Sequence, residues 1–123
     1  YERYKNAGIL TPNQAETAQA ARAEIHDSES LAAAARLLLD KLSLRAVLVT
    51  QGENGMTLFE REAAPFHLRA TARSVYDVTG AGDTVIATLA AALGAGADFR
   101  IAAQAANAAA GLVVQEVGTS VVD

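Results

Sequence analysis

The sequence has 123 residues, of which 51% are apolar and 20% are charged, so the chain can bury a core and is not of the disordered class. The absence of cysteine excludes disulfides, thiolate metal ligands and thiol nucleophiles. The net charge of −4, the scattered Lys and Arg residues and the lack of Trp disfavour a nucleic-acid partner, which a basic surface and stacking aromatic rings would bind.

The start of the chain shows no sign of export. Tyr1–Lys5 lacks the character of a signal peptide, and no apolar run in the sequence approaches the roughly 20 residues of a membrane helix. We therefore expect a cytoplasmic protein with no membrane partner. The sequence does not begin with Met, which leads us to expect that it starts partway through a longer protein.

A short strand and a helix are predicted next. Ile9–Leu10 has the apolar character of a strand end, and we expect Thr11 to cap a helix that has Pro12 in its first position. This Ala-rich helix should run from Gln14 to about Glu24, because alanine has the highest helix propensity.

A second helix follows a short loop. Asp27 and Ser28 open the loop, and either Ser28 or Ser30 is expected to cap the helix. Six apolar residues then recur at helical spacing and predict an amphipathic helix: Leu31, Ala34, Ala35, Leu38, Leu39 and Leu42.

The middle of the chain predicts a buried strand and a hairpin. Ala46–Val49 is apolar without polar alternation, which is typical of a parallel strand covered on both faces. Gln51–Gly55 is predicted to be a turn. Met56–Glu60 and Pro65–Ala70 are expected to form a hairpin around a solvated turn at residues 60–62.

The last part of the chain alternates again between strand, turn and helix. The predicted elements are a strand at Val75–Val78, a turn at Thr79–Gly82, helices at Asp83–Leu93 and from Phe99 to about Val114, and a loop at Gly118–Ser120. Because strands and helices alternate throughout, we predict the α/β fold class.

The segment Asp77–Asp83 carries the most chemical information. Its small residues let the backbone approach a ligand closely, and the N–H groups of Gly80, Ala81 and Gly82 would point out of a helix start, where the helix dipole favours an anion such as phosphate. Asp83 would repel that phosphate, which makes sense if it accepts a proton from an attacking hydroxyl. The alternative is that Asp83 only caps or decorates the first helical turn.

Two familiar glycine motifs are absent. The dinucleotide-binding fingerprint requires a third glycine three residues after Gly82, where Val85 stands instead. The P-loop requires a Gly-Lys-Ser/Thr tripeptide, which the sequence does not contain. Neither type of site is therefore predicted.

Thr79–Asp83, preceded by Asp77, resembles the C-terminal signature of the ribokinase-like (PfkB) carbohydrate kinases. Other segments match that family in the expected order along nearly the whole chain: Asn13–Glu16 resembles its Asn-x-x-Glu motif, Thr50–Gly55 its nucleotide-phosphate loop, Asn107–Ala110 its adenine-side helix, and Gly118–Ser120 the loop that follows. The resemblance implies a ribokinase-like three-layer α/β/α fold, of which residues 1–123 would form the C-terminal nucleotide-binding and catalytic part.

The resemblance also implies the roles of the catalytic residues. Asp83 would be the base that accepts the proton of a sugar hydroxyl, and Gly80, Ala81 and Gly82 would stabilise the negative charge on the transferred phosphoryl group. The cofactors implied are ATP and Mg²⁺, together with a possible K⁺ site near Asp77 and Thr79.

The nucleotide-binding residues implied by the resemblance are Asn13, Glu16, Thr50, Gly52, Gly55, Asn107 and Gly118, with Glu16 acting near Mg²⁺ through water. Five of them have a structural alternative. Asn13 and Glu16 could only shape a helix start, the two glycines could be ordinary turn residues, and Asn107 could hydrogen-bond a neighbouring loop.

Within the family, several segments resemble the kinase domain of ADP-heptose synthesis enzymes, which act on D-glycero-D-manno-heptose 7-phosphate: Tyr1–Tyr4, Leu10–Asn13, Val75–Val85, and Ala106–Gly111 with Gly118–Ser120. The partners implied are ATP and a sugar phosphate, and a homo-oligomer is expected. The alternatives are a nucleotide-binding fragment that is inactive by itself and a kinase for another sugar or a nucleoside, because the sugar pocket of such kinases comes mainly from their N-terminal half.

Overall fold

The computed structural model describes the backbone of residues 3–4, 8–69 and 81–122, and the side chains of residues 8–52, 54–69 and 85–110. The chain divides into two compact units, each described here by itself. The first unit contains Tyr1–Thr50 and Thr57–His67, and the second contains Gln51–Met56 and Leu68–Asp123. The strand predicted at Val75–Val78 lies outside the described residues.

A five-stranded sheet dominates the first unit. Its strands are β1 (Arg3–Tyr4), β2 (Ile9–Leu10), β3 (Ala46–Thr50), β4 (Met56–Glu60) and β5 (Phe66–Leu68), and they lie side by side in that order. β1 is antiparallel to β2, whereas β2 is parallel to β3. The predicted strands at 9–10 and 46–49 and the predicted pair β4 and β5 are confirmed, and the mixed sheet with its helices confirms the α/β class.

The central strand β3 is buried, as its sequence predicts. Ala46, Val47, Leu48 and Val49 are all completely inaccessible to solvent. Its register with β2 is fixed by the pairs Ile9–Ala46 and Leu10–Val47. Since both faces of β3 are covered, any polar side chain that is to meet a ligand must lie beyond the strand end.

Helix α1 (Gln14–Ala21) begins later than predicted. Its N-cap is Asn13, not Thr11, and Pro12 lies outside the helix. The backbone stays extended through residue 12 because the Pro12 carbonyl accepts a hydrogen bond from the Thr50 N–H at 3.0 Å. The helix ends at Ala21, before the predicted Glu24, because Arg22 adopts a left-handed conformation with φ 53° and ψ 47°.

Helix α2 (Ser28–Lys41) is capped by Asp27, so the prediction that Ser28 or Ser30 caps it is wrong. The Asp27 carboxylate accepts the Ser30 N–H at 2.7 Å, and the Ser30 hydroxyl oxygen accepts the Asp27 N–H at 3.1 Å. Asp27 is the N-cap in place of Ser28 or Ser30 because its reciprocal pair with Ser30 satisfies two backbone N–H groups that have no acceptor within the helix.

The predicted apolar stripe of α2 forms the core of the first unit. Its buried leucines pack in one cluster with side chains from the strands. The cluster comprises Leu10, Leu31, Ala35, Leu38, Leu39, Leu44, Val47, Val49 and Phe59. Burial of this stripe explains why an amphipathic helix forms where the sequence predicts one.

The turn between β4 and β5 is more structured than predicted. Arg61 donates from Nε to the Leu44 carbonyl at 2.6 Å and from Nη2 to the Leu39 carbonyl at 2.5 Å, and its Nη1 lies 3.1 Å from the Asp40 carboxylate. Arg61 is therefore not a purely solvated residue, because its guanidinium binds the C-terminal end of α2, whose last carbonyls attract cations.

The second unit is largely helical. Helix α3 (Ala81–Gly94) confirms the predicted helix and begins two residues before the expected Asp83. Helix α4 (Phe99–Val122) packs against α3 through buried small side chains, including Ala102, Ala103 and Ala106.

The predicted loop at Gly118–Ser120 is wrong, because α4 continues through residue 122. A single glycine costs a helix only about 1 kcal/mol, and the segment contains no proline to stop it. Among the described residues, no helix is both long enough and apolar enough to cross a membrane.

Candidate functional site

Two of the predicted nucleotide-binding residues meet at the ends of two parallel strands. Asn13 follows β2 and forms an isolated parallel bridge with Thr50, the last residue of β3. Thr50 also donates its N–H to the Pro12 carbonyl. Strand pairing thus holds Asn13 and Thr50 together although they are far apart in sequence. In open α/β sheets, ligands bind outside the carboxyl ends of the strands, which is where these residues lie.

Asn13 and Glu16 form a reciprocal pair at the start of α1. The Asn13 side-chain oxygen accepts the Glu16 N–H at 2.7 Å, and the Glu16 carboxylate accepts the Asn13 N–H at 2.8 Å. The structural alternative for both residues, that they shape the helix start, is therefore confirmed. The two hydrogen bonds of this pair fix the orientation of both side chains. The predicted nucleotide and magnesium roles of Asn13 and Glu16 stay predictions.

The Glu16 carboxyl is held in its charged form. Partial burial raises its pKa, whereas hydrogen bonding, above all from the Asn13 backbone N–H, lowers it, and the net pKa lies below the ordinary value for glutamate. At neutral pH the residue is therefore an anion. An anionic oxygen ligand beside a phosphate site suits Mg²⁺, which prefers oxygen and retains several of its waters.

Thr17 supports this pair and was missed at the sequence level. Its side chain is fully buried, and its hydroxyl donates to the Asn13 carbonyl at 2.8 Å. Because the Thr17 N–H bonds the same carbonyl at 2.9 Å, two donors from α1 orient the backbone of Asn13. A threonine four residues after a helix cap is the only sequence signal for this contact.

Gly52 and Gly55 form a tight turn directly after β3. The turn contains a short 3₁₀ helix at Gly52–Asn54, and its backbone closes through bonds from Gln51 N–H to the Gly55 carbonyl at 2.8 Å and from Gly55 N–H to the Gly52 carbonyl at 3.1 Å. Gly52 has φ 60° and Gly55 has φ 91°. The alternative that both are turn glycines is confirmed, and their nucleotide contact stays a prediction.

The start of α3 coincides with part of the segment where the sequence predicts a backbone anion site. Ala81, Gly82 and Asp83 lie in the first turn of the helix. The first N–H groups of any α-helix have no acceptor within the helix and carry the positive end of its dipole. The side chain of Asp83 is outside the described side chains, and Asp77, Thr79 and Gly80 lie outside the described residues.

Asn107 lies on α4 with only 6% of its surface exposed. Its Nδ2 donates to the Arg69 carbonyl at 2.7 Å, so the alternative that Asn107 hydrogen-bonds a neighbouring loop is confirmed. Gly118 lies further along the same helix, not in a loop. The nucleotide roles of Asn107 and Gly118 stay predictions.

The candidate residues are distributed over both units. Asn13, Glu16 and Thr50 belong to the first, whereas Gly52, Gly55, the first turn of α3 and Asn107 belong to the second. Within the described ranges 8–69 and 85–110, no group of three or more His, Cys, Asp or Glu side chains could hold a metal ion directly.

The sequence profile of the pfkB family of carbohydrate kinases matches residues 2–122. The chain belongs to this family. The predicted family membership is thereby confirmed.

Similar proteins include three bacterial relatives, each named bifunctional protein HldE. Identity is 55% over 122 residues for the one from Halorhodospira halophila, 48% over 122 residues for that from Pelobacter propionicus, and 49% over 123 residues for that from Desulfatibacillum aliphaticivorans. These alignments cover 99–100% of this chain but only 25% of each relative. The chain therefore spans about a quarter of the length of these relatives.

Solved structures confirm the ribokinase-like fold. The structure of Arabidopsis thaliana ribokinase complexed with ribose and ATP matches with a TM-score of 0.75 and 35% identity, over 87% of this chain and 34% of the ribokinase. Phosphofructokinase-2 from Escherichia coli in complex with fructose 6-phosphate matches with a TM-score of 0.74 at 20% identity, over 85% of this chain and 34% of that one, and supports the fold alone.

Proposed function

We propose that this chain is the nucleotide-binding and catalytic part of an ATP-dependent sugar kinase, which transfers a phosphoryl group to a sugar hydroxyl. The observation that carries the proposal is the position of Ala81, Gly82 and Asp83 in the first turn of α3, in a chain of the pfkB carbohydrate kinase family. A helix start with small residues accepts an anion, and an aspartate beside it can accept a proton.

In this proposal the residues divide the work between positioning and proton transfer. Asp83 accepts the proton of the attacking sugar hydroxyl. The N–H groups of Gly80, Ala81 and Gly82 stabilise the charge on the transferred phosphoryl group. Thr50 and Gly52 hold the nucleotide phosphates, with Gly55 shaping their turn, and phosphoryl transfer relies mainly on such positioning and electrostatics.

Magnesium fits the residues at the strand ends. Glu16 is anionic at neutral pH and is fixed by its bond to Asn13, so it can orient the waters of a bound Mg²⁺ ion. When bound, the ion would supply charge neutralisation for the phosphates. Four further expectations remain predictions: a monovalent cation such as K⁺ near Asp77 and Thr79, a nucleotide contact at Gly118, a cytoplasmic location and a homo-oligomer.

The proposed acceptor is D-glycero-D-manno-heptose 7-phosphate, phosphorylated at its anomeric hydroxyl in ADP-heptose formation. The supporting observation is that this chain is 48–55% identical to proteins named bifunctional protein HldE. The alignment covers only a quarter of the length of those proteins. The sequence segments that resemble heptose kinases support the same acceptor.

The test is ATP-dependent phosphorylation by the full-length protein of a panel of sugars that includes heptose 7-phosphate. Asp83→Asn keeps the shape of the side chain and removes the base, so we expect turnover to fall by about 10²–10⁴-fold while ATP binding persists. Unchanged turnover in this variant would show that Asp83 is not the base. Turnover of another sugar alone would overturn the heptose assignment and leave the kinase assignment standing.

A second candidate function is nucleotide binding without turnover by this chain alone. It is favoured because this chain aligns with only about a third of the length of each solved kinase, so that most of the kinase chain has no counterpart in these 123 residues. Calorimetry of the 123-residue chain with Mg-ATP and Mg-ADP separates a binding module, which releases heat, from an inert fragment, which does not.

A further inference from the structure

The backbone around Asn13 is fixed on both of its sides. On the strand side, the Thr50 N–H donates to the Pro12 carbonyl at 3.0 Å, and Asn13 forms its parallel bridge with Thr50. On the helix side, Thr17 donates to the Asn13 carbonyl from its N–H at 2.9 Å and from its hydroxyl at 2.8 Å. All these residues belong to the first unit. The end of β3 and the first turn of α1 therefore hold adjacent peptide groups of one short segment.

These contacts determine the backbone conformation of Asn13. The Pro12 carbonyl and the Asn13 N–H belong to one planar peptide group, and the Asn13 carbonyl belongs to the next. Because the two planes meet at the Cα atom of Asn13, holding both of them sets its φ of −80° and its ψ of 176°. The direction of the Asn13 side chain follows from these angles. The Glu16 carboxylate is placed by the same contacts, because it accepts the N–H of the first plane at 2.8 Å.

The Thr17 hydroxyl is not required by the hydrogen bonding of the helix. In an α-helix the N–H of a residue donates to the carbonyl four positions earlier, so the Thr17 N–H by itself provides the Asn13 carbonyl with a donor. Thr17 is completely inaccessible to solvent, and valine would fill the same space without a polar atom that needs a partner. The hydroxyl therefore adds a second, directional contact to one of the two peptide planes.

From this geometry we propose that Thr17 is a positioning residue, whose hydroxyl keeps the Asn13–Glu16 pair aligned with Thr50 so that Mg²⁺ and the nucleotide phosphates bind at one site. The proposal rests on the proposed kinase function and adds a residue to its magnesium site. Thr17 acts through Asn13 and does not touch the ligand, because its side chain is completely buried. The alternative is that the bond only satisfies a buried hydroxyl.

The test compares Thr17→Val with Thr17→Ser in the full-length protein. Valine keeps the shape of the side chain and removes the hydroxyl, whereas serine keeps the hydroxyl and removes the methyl group. The measured quantity is the free Mg²⁺ concentration that gives half-maximal turnover at a fixed, saturating ATP concentration. We expect it to rise by about three- to tenfold in Thr17→Val, the effect of one lost hydrogen bond, and to stay within about twofold in Thr17→Ser. Turnover at saturating Mg²⁺ should fall by less than about threefold, because the proposed base Asp83 is unchanged.

A second background tests whether Thr17 acts through Glu16. Glu16→Gln keeps the size of the side chain and removes the negative charge that the proposed magnesium site requires. In this background Thr17→Val should change the half-maximal Mg²⁺ concentration by less than about twofold, because the effects of residues in one network do not add. The same change in both backgrounds would show that Thr17 affects magnesium binding independently of Glu16.

Hydrogen exchange measures the alignment without any substrate. The Glu16 N–H donates to Asn13 Oδ1 at 2.7 Å, and its exchange should accelerate by about three- to tenfold in Thr17→Val and not in Thr17→Ser. Three results would overturn the proposal: an unchanged magnesium dependence in Thr17→Val, an equal effect of Thr17→Ser, or additivity with Glu16→Gln. If the unmodified protein phosphorylates no sugar, the proposed function fails, and the exchange of the Glu16 amide alone decides whether the hydroxyl aligns the pair.

Discussion

At Gly55 the backbone conformation decides which residue the position accepts. The residue has φ 91° and ψ −135°, a region that is almost restricted to glycine. We expect Gly55→Ala to lower the free energy of unfolding by about 1–3 kcal/mol, because a side chain strains this conformation. Urea unfolding followed by circular dichroism measures the change.

Gly94→Ala is the matched control for this prediction. Gly94 ends helix α3 in the same unit, and a Cβ atom built there would meet no heavy atom within 4 Å. Alanine should therefore be neutral or stabilise the helix by up to about 1 kcal/mol. A loss of stability at Gly94 equal to that at Gly55 would contradict the explanation by backbone strain.

Single residues also show where sequence reasoning stops. That Asn13 and Glu16 could shape a helix start was foreseen as an alternative, because both lie near the expected start of the helix; their reciprocal bonding was not predicted. The helix start was placed too early because Thr11 and Pro12 are themselves good starting residues, and only the bond from Thr50 to the Pro12 carbonyl keeps the chain extended there. A hydrogen bond from Asn107 to a neighbouring loop was foreseen as an alternative, but its acceptor, the Arg69 carbonyl, could not be predicted, since a backbone acceptor leaves no trace in the sequence.

At the scale of elements, the start of α2 should respond to pH. The backbone hydrogen bond from Ser30, together with the bond between its side chain and Asp27, keeps the pKa of the Asp27 carboxyl below its ordinary value. Because its folded-state pKa is lowered, the Asp27 carboxylate stabilises the fold fully above its unfolded-state pKa, near 4. This stabilisation is lost as the pH falls through the folded-state pKa. We therefore expect α2 to lose stability below about pH 4.

Asp27→Asn isolates this contribution, because asparagine caps a helix as well as aspartate does and does not titrate. Urea unfolding between about pH 6 and pH 3, a range that brackets the ordinary aspartate pKa, should show a weaker decline in stability for the variant than for the unmodified chain. Parallel declines would mean that Asp27 does not contribute to the acid sensitivity, leaving Glu16 and other carboxyls as its source.

Element boundaries depended on how strong the local stop signals were. α2 was predicted well because five of the six predicted apolar residues define its buried face; the sixth, Leu42, is the C-cap and is only half-buried. α4 was predicted too short because Gly118 looks like a helix terminator, whereas the structure carries the helix through it. β1 was not predicted at all: it has two residues and exists through antiparallel pairing with β2.

At the scale of the whole molecule, the 123-residue chain is expected to self-associate when it is produced alone. Its sheet ends in the short strands β1 and β5 in the part of the chain that the structure describes, and sheet edges recruit other strands. Light scattering should report a mass above the 12.7 kDa of one chain. A homogeneous monomer over a wide concentration range would contradict this expectation.

The α/β class and the carbohydrate kinase family could be predicted from the sequence, because alternating elements and a short glycine motif are local features. The order of the five strands could not, since it depends on pairing between residues far apart in the chain. The roles of the candidate residues remain at the level of prediction for a related reason. The candidate residues lie far apart in the sequence, and no local pattern states how distant segments combine.

The pairing of Asn13 with Thr50 has a consequence for how this fold can vary. The two residues are neighbours because β2 and β3 are in register, whatever the length of chain between them. Residues 23–26, between α1 and α2, are neither helical nor paired in the sheet. Insertions and deletions can therefore accumulate at this connection while the spacing of Asn13 and Thr50 stays constant, which makes it the natural place to introduce a label or a reporter domain.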